Sequence, residues 1–259
     1  MIEIIIVILF SLSLGSFGNN VISHFISGRK LDILYSTGQC CHRKLNIKEL
    51  IPILSFLIQK GKCKGCGELI SRRYMTVEVL ALIIGLTVLF VFGFSLNSLL
   101  IYLIAFLLLL ISVIDYYRLI IPNKILLALL AVVILFLWTN TELSINGFVI
   151  SFSILAAIYL VQNVVGKIKK NEVMGMGDLK LIFVLSLLLD LLEIITAIWI
   201  SSLIAITVLL ISNYKQIGSL KDIKVPFGIY LSIGFMVMFI ISKHSESSGL
   251  NLFMAELWK

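Results

Sequence analysis

The chain has 259 residues, 60% of them hydrophobic, a mean hydropathy of +1.11 and a formal net charge of +7. Several apolar runs reach the length of about 20 residues that crosses a bilayer, which excludes a soluble globular domain, and the short alternating segments of a membrane barrel are absent. No nucleotide-binding loop or nucleic-acid module is recognisable, so the positive charge points to membrane topology and anionic lipid, not to nucleic acid.

Eight apolar segments lie near residues 2–22, 76–94, 97–117, 121–138, 145–166, 177–190, 193–212 and 226–242. They predict an all-α polytopic membrane protein with about eight transmembrane helices. Eighteen of the 21 basic residues fall in the connections 23–75, 118–124, 167–176 and 213–225, and the alternate turns near 95–96, 139–144 and 191–192 carry none. The positive-inside rule makes the basic connections cytoplasmic and both termini extracytoplasmic. Residues 1–22 read as a retained first helix, because the first basic residue, Arg29, follows the apolar run instead of preceding it. This helix carries Gly15-Ser16-Phe17-Gly18-Asn19-Asn20. Such small residues suit close helix packing, or the lining of a site at the cytoplasmic face.

Residues 23–75 form the one sizeable soluble piece, and all four cysteines fall in it. A cytoplasmic loop keeps thiols reduced, so disulfides are not expected. Cys63-Lys64-Gly65-Cys66 is half of a zinc-ribbon pattern, in which short spacing and a glycine let two thiolates face one metal. The other half is irregular, with Cys40, Cys41 and His42 adjacent. The preferred ligand set for a structural zinc is Cys41, Cys63 and Cys66, with Cys40 or His42 fourth; unmetallated thiols are the plainer alternative. The apolar stretch Leu50 to Ile58 contains Pro52 and is too short to span, which places it in the membrane interface.

Segments two and three meet in a tight outer turn between Gly93 and Asn97. Glu78, near the inner start of segment two, is expected to snorkel to the interface. Asp115 ends segment three, and an ion pair with Arg118 is its plainest role. Ile121-Pro122-Asn123 then opens segment four, where an N-terminal proline is well placed. Segment six opens with Gly175-Met176-Gly177-Asp178. A carboxylate at membrane depth costs about 2.5–3.5 kcal/mol, so one kept there suggests a use. The two glycines are expected to permit positive φ and a close backbone approach to Asp178. From Asp178 to Leu189 the apolar run is too short to cross, so either the helix starts earlier or the glycine turn sits below the membrane surface, and the second reading places Asp178 in a cytoplasm-facing cavity. Asp190 and Glu193 read as solvated caps in the next outer turn. Pro226-Phe227-Gly228 opens segment eight on the same face as both acids, and the tail 243–259 lies outside.

The topology puts Asp115 and Asp178 at one leaflet. Two carboxylates in hydrogen-bond reach do not both ionise easily, so one keeps a proton near neutral pH. The ionised partner activates water and the protonated one polarises a carbonyl, which is aspartic-protease chemistry. Paired acids also make proton relays, so an ion-coupled transporter is the rival reading.

Six landmarks in order carry a resemblance: Gly15-Ser16-Phe17, Ile51-Pro52-Ile53-Leu54-Ser55, Ile70-Ser71-Arg72-Arg73-Tyr74 with Glu78, Asp115 with Ile121-Pro122-Asn123, Gly175-Met176-Gly177-Asp178-Leu179-Lys180-Leu181, and Pro226-Phe227-Gly228. Over nearly its whole length the chain resembles the type IV prepilin peptidases, or leader peptidase/N-methyltransferases, whose signature is GxGD. The resemblance implies an intramembrane aspartyl endopeptidase, residues 76–242, in which Asp115 and Asp178 are the catalytic pair and Gly175 and Gly177 form the supporting turn. It implies removal of a basic leader from prepilins or pseudopilins after a glycine, then methylation of the new N-terminal amine from S-adenosylmethionine, all at the plasma membrane. The loop 23–75 matches the methyltransferase-associated zinc domain, with a departure. The family carries two CxxC pairs, whereas Gly38 stands where the first cysteine belongs, leaving Cys40 as a shifted substitute. A peptidase without methyltransferase activity, as in archaeal preflagellin peptidases, is the alternative that the long loop argues against.

The charge pattern yields a test of topology. A cysteine introduced at Ser247 is expected to react with an impermeant reagent in intact cells, and cysteines in 23–75 to stay unlabelled. The opposite labelling pattern would overturn the assignment.

Overall fold

A computed structural model describes residues 1–28, 51–140, 149, 151–160, 162, 175–212 and 225–248. The helices are α1 (Ile2–Ser27), α2 (Leu54–Ile58), α3 (Arg73–Phe92), α4 (Leu96–Arg118), α5 (Asn123–Thr139), α6 (Ser151–Leu160), α7 (Met176–Ser186), α8 (Leu191–Ser212) and α9 (Phe227–Ser248). Among the described residues the extended structure amounts to one antiparallel bridge, Lys62 to Leu69. Each of the eight apolar segments contains a helix. Four helices, α1, α3, α4 and α8, are long and apolar enough to cross a membrane, and α5, α6 and α9 are shorter apolar helices.

The surface is inverted relative to a soluble protein: Phe90, Trp138 and Trp199 are 73%, 70% and 69% exposed. Side chains of this kind face lipid without cost, which accords with an integral membrane protein.

The chain divides into two compact units, Met1–Leu110 and Ile111–Lys259, with the boundary inside α4. In the first unit α1 packs on α3. The buried face of α1 is Ser11, Gly15, Gly18, Asn19, Ile22 and Ser23, a helical stripe of mostly small and polar residues. A Cβ on Gly15 would lie 3.0 Å from the Glu78 Cα, and one on Gly18 would lie 2.9 Å from Phe106 and Leu110 side-chain carbons. The small residues therefore act as expected, bringing backbones together. α1 ends at Gly28 in the left-handed conformation (φ 66°), its N–H donating to the His24 carbonyl. The turn from α3 to α4 follows Gly93, and Ser95 Oγ caps α4 by accepting the Ser98 N–H at 3.1 Å.

In the second unit Pro122 precedes α5, which buries Ile125, Leu126, Leu129, Val133, Phe136 and Leu137 at helical spacing. α7 packs on α5, α8 and α9, and α8 on α9. Gly234 of α9 admits α8 closely: a Cβ there would lie 2.6 Å from the Ala197 carbonyl oxygen. Asp190 is exposed, and its N–H donates to the Glu193 carboxylate at 3.1 Å, so Glu193 caps the start of α8 as the sequence suggested. α7 has 11 residues and rises about 16 Å, short of a hydrocarbon core of about 30 Å.

The tightness at Gly15 sets a prediction. Gly15→Leu pushes α1 from α3 and is expected to cost about 1–3 kcal/mol, read as a lower melting temperature in detergent. An unchanged melting temperature would show that this contact does not hold the unit together.

Candidate active site

Asp115 lies in the last turn of α4 and is 5% exposed. Gly228 N–H donates to its Oδ2 at 2.9 Å, and the Ile229 amide donates to the same carboxylate. Both amides belong to the first turn of α9, where N–H groups lack helical acceptors and the helix dipole favours an anion. A Cβ on Gly228 would lie 2.9 Å from that oxygen, so a glycine is what lets the carboxylate reach the backbone. α4 ends at Leu119, whose φ of 55° is unusual for a branched side chain, and the Leu119 N–H donates to the Asp115 carbonyl at 2.8 Å. Backbone strain of this kind costs of order 1–3 kcal/mol and clusters at functional sites.

Asp178 is the third residue of α7, and Gly175 is its N-cap with φ −66° and ψ 140°. The glycines therefore do not serve positive φ, which corrects that expectation. Their use is space. A Cβ on Gly175 would lie 3.3 Å from Asp178 Oδ2, and one on Gly177 would lie 3.0 Å from the Ile121 Cβ. Ile121 also reaches Gly228, at 3.4 Å from its ideal Cβ position, so a single side chain touches the glycine beside each acid. The Asp115 and Asp178 carboxylates lie within electrostatic reach of each other. Lys180 Nζ donates to Asn123 Oδ1 at 3.1 Å, tying α7 to the start of α5. The sequence marked both residues only as motif members.

A second polar centre occupies the first unit. Glu78 is 8% exposed, and Ile53 N–H donates to its Oε2 at 2.8 Å. It does not snorkel. Proline-preceded loop backbone donates to it within the fold, and Gly15 leaves room for its stem, with an ideal Cβ 3.6 Å from the Glu78 Cγ. Ile53 has φ 61° and ψ −54°, and Leu54 N–H donates to the Pro52 carbonyl at 2.6 Å. That is the rare, strained form of the γ-turn. Asn19, 2% exposed, hydrogen-bonds Glu78 and donates from Nδ2 to the Tyr74 carbonyl at 2.9 Å. Asn19 Oδ1 is buried without a hydrogen-bond partner among the described residues. Ser23 Oγ lies 2.9 Å from the Tyr74 hydroxyl and accepts from Arg73 Nη2 at 2.8 Å. Sequence reading missed Asn19 and Ile53 as Glu78 partners. The signal available was the family-like order of Asn19, Pro52-Ile53 and Glu78, with nothing to say that they meet.

Cys63 and Cys66 stand on a hairpin. Cys63 N–H donates to the Glu68 carbonyl at 2.8 Å, Gly67 N–H returns to the Cys63 carbonyl at 2.8 Å, and Gly67 has φ 74°. Cys63 is buried and Cys66 exposed. Cys40, Cys41 and His42 lie outside the described residues, and among those described no three metal-ligating side chains gather.

A family model for the bacterial peptidase A24 N-terminal domain matches residues 9–92, and one for the type IV leader peptidase family matches residues 101–210. The chain is similar to the prepilin leader peptidase/N-methyltransferase of Bacillus subtilis, 34% identical over 206 residues that cover 77% of this chain and 79% of the relative. That of Vibrio cholerae is 27% identical over 253 residues, covering 92% and 97%, and that of Pseudomonas putida 27% over 235, covering 86% and 78%. No solved structure matches the chain.

Proposed function

The chain belongs to the prepilin leader peptidase/N-methyltransferase family, and from that premise we propose that it cuts the leader from type IV prepilins or pseudopilins with Asp115 and Asp178 as a paired-carboxylate centre. The observation that carries this reading is the convergence on Ile121. Gly177 beside one acid and Gly228 beside the other touch the same side chain, and the two carboxylates sense each other's charge. In the reaction the ionised acid takes a proton from water as it attacks the scissile carbonyl, and the protonated acid donates to the carbonyl oxygen. The α9 amides hold Asp115 in place throughout. Gly175 and Gly177 keep the start of α7 free of side chains where substrate backbone must approach.

The rest of the reading follows the family. The protein sits in the plasma membrane with about eight crossings and both termini outside, a topology the basic-residue pattern supports. Residues 23–75 form its methyltransferase-associated domain. S-adenosylmethionine supplies an electrophilic methyl group for the new N-terminal amine. The Cys63–Cys66 hairpin suits half of a tetrahedral zinc site, since its turn, closed by the left-handed Gly67, carries two thiols three residues apart. Cys41, with Cys40 or His42, would complete the set. The metal's part is structural, because a loop of this size has little core of its own.

Asp115→Asn and Asp178→Asn are each expected to lower cleavage of a prepilin peptide at least about a hundredfold while the protein stays inserted and folded. The double variant loses little more, since the acids act as a unit, and the pH profile of cleavage is bell-shaped, reporting the pair. Mass spectrometry of the peptide products decides it: near-normal cleavage by either variant ends the paired-carboxylate mechanism.

Metal analysis of the purified, active protein is expected to give about one zinc per chain, lost in a Cys63→Ser, Cys66→Ser variant. Chelation leaves cleavage intact. A folded, active preparation without zinc would remove the metal from this account.

A further inference from the structure

Glu78 and Asn19 form a buried acceptor site that the cleavage chemistry does not use. Glu78 lies in the first unit, whereas Asp115 and Asp178 lie in the second. Its carboxylate receives Ile53 N–H on Oε2 and a hydrogen bond from Asn19. The Asn19 amide is committed through Nδ2, leaving Oδ1 buried beside it without a donor among the described residues. A full carboxylate and an amide oxygen, both nine-tenths buried or more, thus share one spot with fewer N–H donors than they can accept.

The occupant this site fits is a monovalent group rich in N–H donors. Calcium and magnesium take six or more oxygens with more negative charge than one carboxylate brings, and zinc favours the thiolate and imidazole ligands that this spot lacks among the described residues. A sulfonium has no hydrogen to give. A primary ammonium matches both counts: it carries one positive charge and three N–H donors. The turn that closes over Glu78 is the strained one at Ile53, so an ammonium takes over a hydrogen bond that the loop makes in an unfavourable conformation.

We propose that Glu78 and Asn19 receive the α-ammonium group of the cleaved pilin and that Glu78 takes its proton for methyl transfer. This rests on the methyltransferase reading above. The ammonium is not a nucleophile. It gives a proton to the Glu78 carboxylate, and the neutral amine then attacks the methyl carbon of the sulfonium donor. The N–C bond forms as the C–S bond breaks, the electron pair leaves with sulfur as a neutral thioether, and the methylated ammonium carries the positive charge. Asn19 Oδ1 holds a remaining N–H and orients the nitrogen.

The test uses the full-length, metal-replete protein and Glu78→Gln, which keeps an acceptor for Ile53 N–H but cannot take a proton. Two substrates separate the activities: an intact prepilin peptide, and a pre-cut peptide with a free N-terminal phenylalanine. Glu78→Gln is expected to cleave the first within about twofold of the unaltered protein and to methylate the second about a hundredfold more slowly or worse. Binding gives a readout apart from turnover. The free-amine peptide is expected to bind Glu78→Gln about tenfold more weakly, whereas an N-acetylated peptide binds both proteins equally. Normal methylation, unchanged binding of the free amine, or parallel loss of cleavage and methylation would each overturn the assignment. An unaltered protein that cleaves but never methylates the pre-cut peptide refutes the methyltransferase reading itself, and this proposal with it.

Discussion

A carboxylate carried into a helix bundle must find hydrogen-bond donors there, and in this chain backbone supplies them. The Asp115 oxygens meet the Gly228 and Ile229 amides at the start of α9. Each hydrogen bond to a charged acceptor is worth about 1.5–3 kcal/mol, comparable to the cost of bringing the charge in. Much of the second unit follows from that contact. Gly228 must lack a side chain, the end of α4 must meet the start of α9, and α4 must stop sharply, which Leu119 achieves in a left-handed conformation.

The first unit solves the same problem by the same means. Glu78 takes a donor from Ile53, one residue after Pro52, as Asp115 takes one from Gly228, two residues after Pro226. Proline ends regular structure and presents the next backbone N–H groups without helical partners. In both places a glycine, Gly15 or Gly228, clears the space beside the acid, and a non-glycine residue with positive φ lies within the local turn. Where side chains that carry charge are few, geometry at the backbone does the pairing.

The sequence made much of this legible because hydropathy and charge alternation act locally. The eight apolar segments, the packing role of Gly15 and Gly18, the capping acid Glu193, and the shared face of Pro226-Phe227-Gly228 with the two acids could all be read from neighbours in the chain. Glu78 could not. Its donor is 25 residues upstream across a loop, and snorkelling is the default for an acid near a helix end when no partner is in view. The glycines of Gly175-Met176-Gly177-Asp178 were assigned a conformational role because composition shows only that a side chain is missing. That the missing Cβ makes room for Asp178 and Ile121 depends on contacts between separate helices.

The inverted surface has a consequence for how such a chain tolerates change. Outward positions such as Phe90, Trp138 and Trp199 need only be apolar, since lipid adapts to any shape placed against it. Inward positions are limited by volume, and a few, such as Gly15, Gly177, Gly228 and Gly234, by single atoms. Substitution can then spread freely over the lipid-facing side at nearly constant hydropathy. Chains that agree at about a third of their positions or fewer, as this one does with its relatives, can keep the same interior, and overall identity understates how much of the working machinery two of them share.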